Sequence, residues 1–305
     1  MSLPHDDAQW PRASAWMSDV PADDPQARLC RLQVAGVPIN RSVTPGHCDQ
    51  APAAIREALR RFSLWDFAQR QALPERLVVD HGDLPVDATN LEASVTSLQK
   101  LSPIGKWILL GGDNGVTRPG ALALARRHGF ELPRVGILTL DAHLDVRHLN
   151  DGPHNGNPIR GLIEDGVRGR NVVQLGLQSF ANSPDYAAWA KEQGMEPITM
   201  DALTDFEKRF SDELASLAAR VDVIYFNLDL DVLDAAFAPA CPGARPGGLT
   251  PLQIRHAARM AGVHPKVRAM DLVEIDPTRD PAGITALAAA ACFMEFAAGT
   301  AVSDF

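Results

Sequence analysis

A chain of 305 residues, 46% hydrophobic and 22% charged, holds enough apolar material for one large buried core. Its 29 Lys and Arg against 38 Asp and Glu leave a net charge of −9, which argues against a surface for nucleic acid or an anionic membrane and suits a small cationic or neutral substrate. Cys30, Cys48, Cys241 and Cys292 lie far apart with no CxxC pairing. They signal neither a zinc ribbon nor a disulfide framework, and the simple reading is reduced thiols in the cytoplasm.

The first 24 residues, rich in Asp, Pro and Ala, are expected to form an irregular N-terminal arm that packs on a neighbouring subunit, ahead of one domain over 25–305. No basic-then-apolar leader opens the chain, and no stretch is expected to approach membrane-spanning length. In chain order, RLQVAGVPI (31–39), RLVVD (76–80), WILLGG (107–112), RVGILTLDAH (134–143), NVVQLGLQ (171–178) and VIYFNLDLD (223–231) read as buried strands bounded by Gly, Pro or Asp. Between them PAAIREALRRF, TRPGALALARRHG and FEKRFSDELASLAARV carry a helical pattern. This alternation predicts an α/β fold with a mostly parallel central sheet and helices on both faces. In such a sheet ligands sit at the carboxyl ends of strands, and polar clusters at 111–114, 141–145 and 229–231 follow the apolar runs directly.

The run into Asp141, His143 and Asp145 places alternate residues on one face, so three metal-ligating side chains project together. Carboxylates suit manganese or magnesium, and an imidazole adds affinity for manganese, nickel, cobalt or zinc. The plainer alternative is a strand cap hydrogen-bonded within its loop. Asp229 and Asp231 repeat the period of two, and two carboxylates buried together repel unless a cation lies between them. Asp234 reads as a cap or salt-bridge partner. Glu274, alone at the end of an apolar strand in an acidic cleft, suits a planar cation or a buried salt bridge.

WILLGGDN, LTLDAHLDVR, NLDLDVLDAAFAP and DLVEIDP follow one another as the four signature blocks of the ureohydrolases do. On them the chain resembles that superfamily of arginase, agmatinase and formimidoylglutamase over roughly residues 32–298. AGVPI with GHCDQAPAAIREAL looks like the family's first strand and helix entry. DAHLDVR, NGNPIRGLIE and QLGLQSFANS are most similar to the formimidoylglutamase branch. The resemblance implies a three-layer α/β/α fold and a pair of manganese ions, sometimes nickel, that share a bridging water. It also implies hydrolysis of a linear amidine or guanidine C–N bond, with the activated water attacking the amidine carbon. Asp141 and Asp229 are then the bridging carboxylates, Asp145 serves one ion, His143 and Asp231 serve the other, and Glu274 orients the amidinium or guanidinium. Asp145 and Glu274 are thereby catalytic candidates as well.

Two positions depart from the pattern. Asn114 stands where the family has a histidine ligand, so one metal site is expected to be weak, empty or selective for another ion. The catalytic histidine of arginase-like members falls on Asn155, with His154 one residue early; formimidoylglutamases also lack it. His154 is either a catalytic group reaching in from a loop or an ordinary surface residue. Arg147 and Arg160, with Asn155, are candidates to bind the substrate and its carboxylate, or the arginines simply neutralise nearby acids. His148 and His47 carry less weight. The leading reading is a metal-dependent hydrolase of a formimidoylglutamate-like, substituted guanidine or biguanide substrate, active as a homo-oligomer, a trimer or hexamer. The rival reading is a degenerate, non-catalytic subunit that supports an active homologue in a hetero-oligomer.

Overall fold

The computed structural model describes residue 7 and residues 9–17 and 24–304. Eight strands form its main sheet: β1 Leu32–Val37, β2 Val78–Asp83, β3 Lys106–Gly111, β4 Val135–Leu140, β5 Val172–Leu177, β6 Ile198–Thr199, β7 Val223–Asp229 and β8 Val267–Val273. Their spatial order is β2-β1-β3-β8-β7-β4-β5-β6, and every pairing between neighbours is parallel. The interior strands are covered on both faces. They therefore read as continuous apolar runs and not as alternating ones.

Successive residues feed opposite cores. Ile108, Leu110, Leu138, Leu140, Phe226 and Leu228 pack with helices Ala51–Ala58, Phe206–Arg220, Pro251–Val263 and Ile284–Val302. Trp107, Leu109, Ile137 and Tyr225 pack on the other side with helices Leu91–Leu98, Thr117–His128, Pro158–Asp165 and Pro184–Glu192. The result is a three-layer α/β/α arrangement, as expected. Register levels the carboxyl ends of the central strands: Leu110 lies beside Leu272, Val273 beside Asp229, and Leu228 beside Leu140. The loops after β3, β4, β7 and β8 therefore open at one edge.

Three expectations are corrected. Strand β8 is legible in the sequence only as an apolar strand ending at Glu274, not among the buried runs, although it sits at the middle of the sheet. The N-terminal segment, expected to be irregular, forms a short helix at Ala13–Trp16 whose Ala13 and Trp16 are buried in this chain's own core, with Trp16 Nε1 donating to Pro74 O at 3.1 Å. Residues 1–6, 8 and 18–23 of the expected arm lie outside the described residues. Third, residues Pro281–Val302 are, at a mean hydropathy of 1.5, long and apolar enough to cross a membrane by length and composition, yet 61% of the apolar window is buried within the protein. Its helix lies against Pro251–Val263 in backbone contact. A Cβ at Gly299 would come 2.5 Å from Arg259 O, and one at Gly262 would come 2.4 Å from Phe296 O.

Candidate metal centre

Asp141 directly follows β4, and the chain turns there so that His143 and Asp145 come back over the strand end. Asp145 holds φ at +52° and Glu274 at +67°, left-handed conformations that cost a non-glycine residue about 1–3 kcal/mol each. Neighbours hold them. Asp145 O accepts from Arg160 N at 3.2 Å, and Glu274 N donates to Gly112 O at 2.9 Å. Strained backbone of this kind gathers at functional sites.

The four acids and the imidazole singled out in the sequence as metal ligands converge. His143 N donates to Asp141 Oδ1 at 2.6 Å, Ala142 N to Asp231 Oδ1 at 3.0 Å, and Asp231 N to Asp229 Oδ1 at 2.9 Å. His143 Nδ1 lies 2.7 Å from Asp231 Oδ2 and 3.7 Å from Asp141 Oδ1. Two trios of ligand atoms result, Asp141–His143–Asp231 and Asp141–Asp145–Asp229, each within 4.8 Å and with Asp141 common to both. Among the described residues no lysine or arginine forms an ion pair with any of these four carboxylates.

Crowding shows in the acidities. Burial, then the charge of Asp231, raises Asp141 to about 6. Burial followed by neighbouring carboxylates raises Asp145 and Asp229 well above the ordinary range. Burial and the charge of Asp113 raise Glu274 to about 8. For His143 burial acts downward, but Asp231 and Asp141 outweigh it and raise the ring to about 11. Its Nε2 nevertheless lies 2.9 Å from Arg245 Nη1, an approach that two N–H cations resist; the contact favours a ring that keeps its proton at Nδ1 and is neutral at Nε2. Asp231 is held below the usual carboxylate range: burial opposes this, and His143 more than offsets it.

Asn114 stands at the edge of the cluster. Its amide nitrogen donates to Asp145 Oδ2 at 2.6 Å and approaches Asp141 Oδ2 at 3.4 Å. Its oxygen, expected at an ion, faces away and accepts from Thr117 Oγ1 at 2.7 Å and Asn227 Nδ2 at 2.9 Å. Behind these stands buried Asp271, which accepts from Asn227 Nδ2 and Tyr225 Oη at 2.8 Å and lies 2.9 Å from Thr117 Oγ1. Sequence reasoning missed this network. Its signal was there in Thr139, Asn227 and Asp271, polar residues set within apolar strands.

The cluster forms the floor of a cavity of about 370 Å³ lined also by Arg147, Asn155, Tyr186, Gly243, Arg245 and Glu274. Asn155 Nδ2 donates to Glu274 Oε1 at 3.0 Å, and Asn114 N donates to the same oxygen at 2.8 Å. Among the described residues nothing donates to Glu274 Oε2. The stem of Arg147 crosses Gly156, where a Cβ would come 2.7 Å from its Cδ. Gly243 went unnoticed in the sequence, yet a Cβ there would lie 2.3 Å from Asp231 Oδ2 and 2.8 Å from His143 Cε1. Gly243→Ala is therefore expected to weaken divalent-metal affinity about 10- to 100-fold, measured by titration calorimetry, with little change in secondary structure.

Two candidates lie elsewhere. Arg160 bonds to Glu164 at 2.8 Å and stacks 4.5 Å over Trp189, outside the cavity lining. The i,i+4 spacing within one helix explains the pairing. His154 borders a separate small cavity, and its Nδ1 accepts from Gly156 N at 3.0 Å, which fixes it within its own loop. Burial, then Arg147, pushes its pKa down. His148 packs edge-on against Tyr186 at 5.7 Å, and Asp234 caps its turn by accepting from Ala236 N and Gly247 N. The four cysteines are buried and unpaired with one another.

A model of the arginase family matches residues 30–299. The chain belongs to the arginase family. It is 33% identical over 292 residues to a formimidoylglutamase of Halalkalibacterium halodurans, covering 91% of this chain and 89% of that protein. The crystal structure of Bacillus subtilis formimidoylglutamase superposes with a TM-score of 0.90 at 29% identity, over 99% of this chain and 95% of that one. Trypanosoma cruzi formiminoglutamase, solved with Mn2+, shares the fold at a TM-score of 0.83 and 21% identity, over 97% of this chain and all of that one. Within the arginase family this chain sits in the formimidoylglutamase-like branch, and it is a hydrolase acting on amidine or guanidine C–N bonds.

Proposed function

We propose that this enzyme uses divalent metal, manganese by preference, to hydrolyse the formimidoyl C–N bond of a formimidoylglutamate-like amino acid, releasing formamide and the free amine. One observation carries the reading: Asp141 belongs to both ligand trios, and the other members of both line a cavity that also presents Glu274 and arginine. The donor set is rich in carboxylate with a single imidazole, which fits manganese, with nickel as the second choice. Asp141, His143, Asp231 and Asp229 would hold the tighter ion. The trio of Asp141, Asp145 and Asp229 would hold the weaker one, because Asn114 offers it N–H groups. A divalent cation held there supplies Lewis acidity and an activated water.

The chain's own groups do the rest. Glu274, held through Oε1 by Asn114 N and Asn155 Nδ2, receives N–H groups of the planar amidinium at Oε2 and sets its plane. Asp145, beside Asp141 and Asp229, takes the proton given up by water and passes it to the departing amine. Arg147 on the wall receives a substrate carboxylate. Relatives named formimidoylglutamase support the substrate class, and the Mn2+ of the Trypanosoma cruzi structure supports the metal.

The test is to assay the metal-loaded chain alone against N-formimidoyl-L-glutamate, with formamide and glutamate measured and metal counted. Turnover with bound Mn2+ is expected. Urea from guanidino acids without formamide would overturn the substrate assignment. Activity only after a homologous chain is added would favour the supporting-subunit reading; mass measurement would show whether the enzyme works as a homo-oligomeric trimer or hexamer or in a mixed assembly.

A further inference from the structure

We propose that Arg245 is a specificity-determining residue that reads a second carboxylate of the substrate, so that with Arg147 the site selects a dicarboxylic amidine over a monocarboxylic one. This rests on the amidine-hydrolase reading above. Arg245 sits on the loop that leads from Asp231 back to helix Pro251–Val263, and its backbone is fixed by a bridge to Asp234 and by its carbonyl, which accepts from Ala235 N at 3.1 Å. The guanidinium is placed as firmly. Nη1 donates to Gly243 O at 2.8 Å and meets His143 Nε2 at 2.9 Å, which holds the head group at the cavity wall.

What the head group lacks is an acid. Among the described residues neither Arg245 nor Arg147 forms an ion pair with a carboxylate, although Asp145, Asp229, Asp231 and Glu274 line the same cavity. In a chain with nine more acids than bases, two such cations at one cavity point to an anionic ligand. Among the described residues no bond engages Nη2 of Arg245, which leaves it to meet a carboxylate oxygen in the charge-assisted geometry that guanidinium favours. The two arginines reach the cavity from different loops, Arg147 across Gly156 and Arg245 beside Gly243. One carboxylate calls for one of them. A ligand with an amidine at the floor and two carboxylates employs both, and the cavity has the size of a small-molecule site.

The experiment measures binding and turnover separately on the metal-loaded oligomer. By calorimetry, wild type is expected to bind L-glutamate more tightly than 4-aminobutyrate or 2-aminobutyrate, each of which lacks one carboxylate. Arg245→Met is expected to raise KM for N-formimidoyl-L-glutamate about 10- to 100-fold with kcat changed less than about threefold, because the contact is made in ground and transition states alike. Against the formimidoyl derivative of whichever monocarboxylate lacks its partner, wild type and Arg245→Met should perform equally, and Arg245→Lys should recover part of the loss. Equal losses on all three substrates, or a fall in metal content, would show Arg245 to be a support for His143 and overturn the proposal. So would wild type binding glutamate no better than both monocarboxylates. If no amidine is turned over but glutamate still binds preferentially and Arg245→Met abolishes the preference, the function reading fails and this one stands.

Discussion

Asp141→Asn is expected to lower kcat/KM by about three orders of magnitude or more, the rate equivalent of losing about 4 kcal/mol of transition-state stabilisation by the metal. Asp141 belongs to both ligand trios, so its loss reaches both ions at once. An amide keeps the shape of the carboxylate but carries no charge to share between two cations. Metal content should fall well below that of Asp145→Asn, which touches one trio only. A global fold defect is separable from this effect. Asp141 is buried and its neighbours repel it, so the metal-free variant should melt no lower than metal-free wild type. Two tightly held ions in Asp141→Asn would sink the assignment.

Metal-free enzyme should lose stability as pH rises from about 5 to about 8, and Mn2+ should restore more of it at pH 8 than at pH 6. The sign follows from the direction of each shift. Asp141 is raised to about 6, Glu274 to about 8, and Asp145 and Asp229 well above the ordinary range. The folded chain therefore binds more protons than the unfolded one, and that stabilisation, complete at low pH, is lost as pH passes through the raised values. Asp231 works oppositely but below this window, and His81, His128, His154 and His264, whose pKa values burial lowers, offset part of the loss up to about pH 6.5, where the raised acids still outnumber them. A two-unit shift corresponds to about 3 kcal/mol, or several degrees in Tm. Metal competes with these protons, so its apparent affinity should rise over the same interval. Thermal melts at several pH values, with chelator and with Mn2+, provide the check. A metal-free Tm that is flat or rising from pH 5 to 8 would contradict it.

Much of the metal centre was legible because its residues lie at period two directly after apolar runs, where a parallel sheet turns its carboxyl ends to ligands. Position along the chain misled for His154 and Arg160. Both are next to the site in sequence, yet one is tied to Gly156 N and the other to Glu164 and Trp189. Only the end of strand β8, before Glu274, was legible, because Arg268 and Asp271 interrupt its apolar run, and Asp271 is polar to serve Asn227, Tyr225 and Thr117. Helix Ile284–Val302 is apolar all round and rich in alanine, so it shows no period. The orientation of Asn114 was beyond sequence reasoning, since partners from β7 and from the helix after β3 decide which end of the amide faces the acids. Gly243 and Arg245 lie on an irregular loop with no period to betray them.

Strand β8 lies between β3 and β7, although it is the last of the eight to be synthesised. A nascent chain that has not yet emerged past residue 267 therefore carries two half-sheets, β2-β1-β3 and β7-β4-β5-β6, each ending in an open hydrogen-bonding edge where β8 will later insert. The residues that follow supply Glu274 and the apolar helix Ile284–Val302 that covers one face. With such a plan the two halves can be joined only once β8 has emerged. A premature stop before residue 267 would leave sticky edges exposed, a substrate for chaperones and proteases long before any loss of catalysis could be measured.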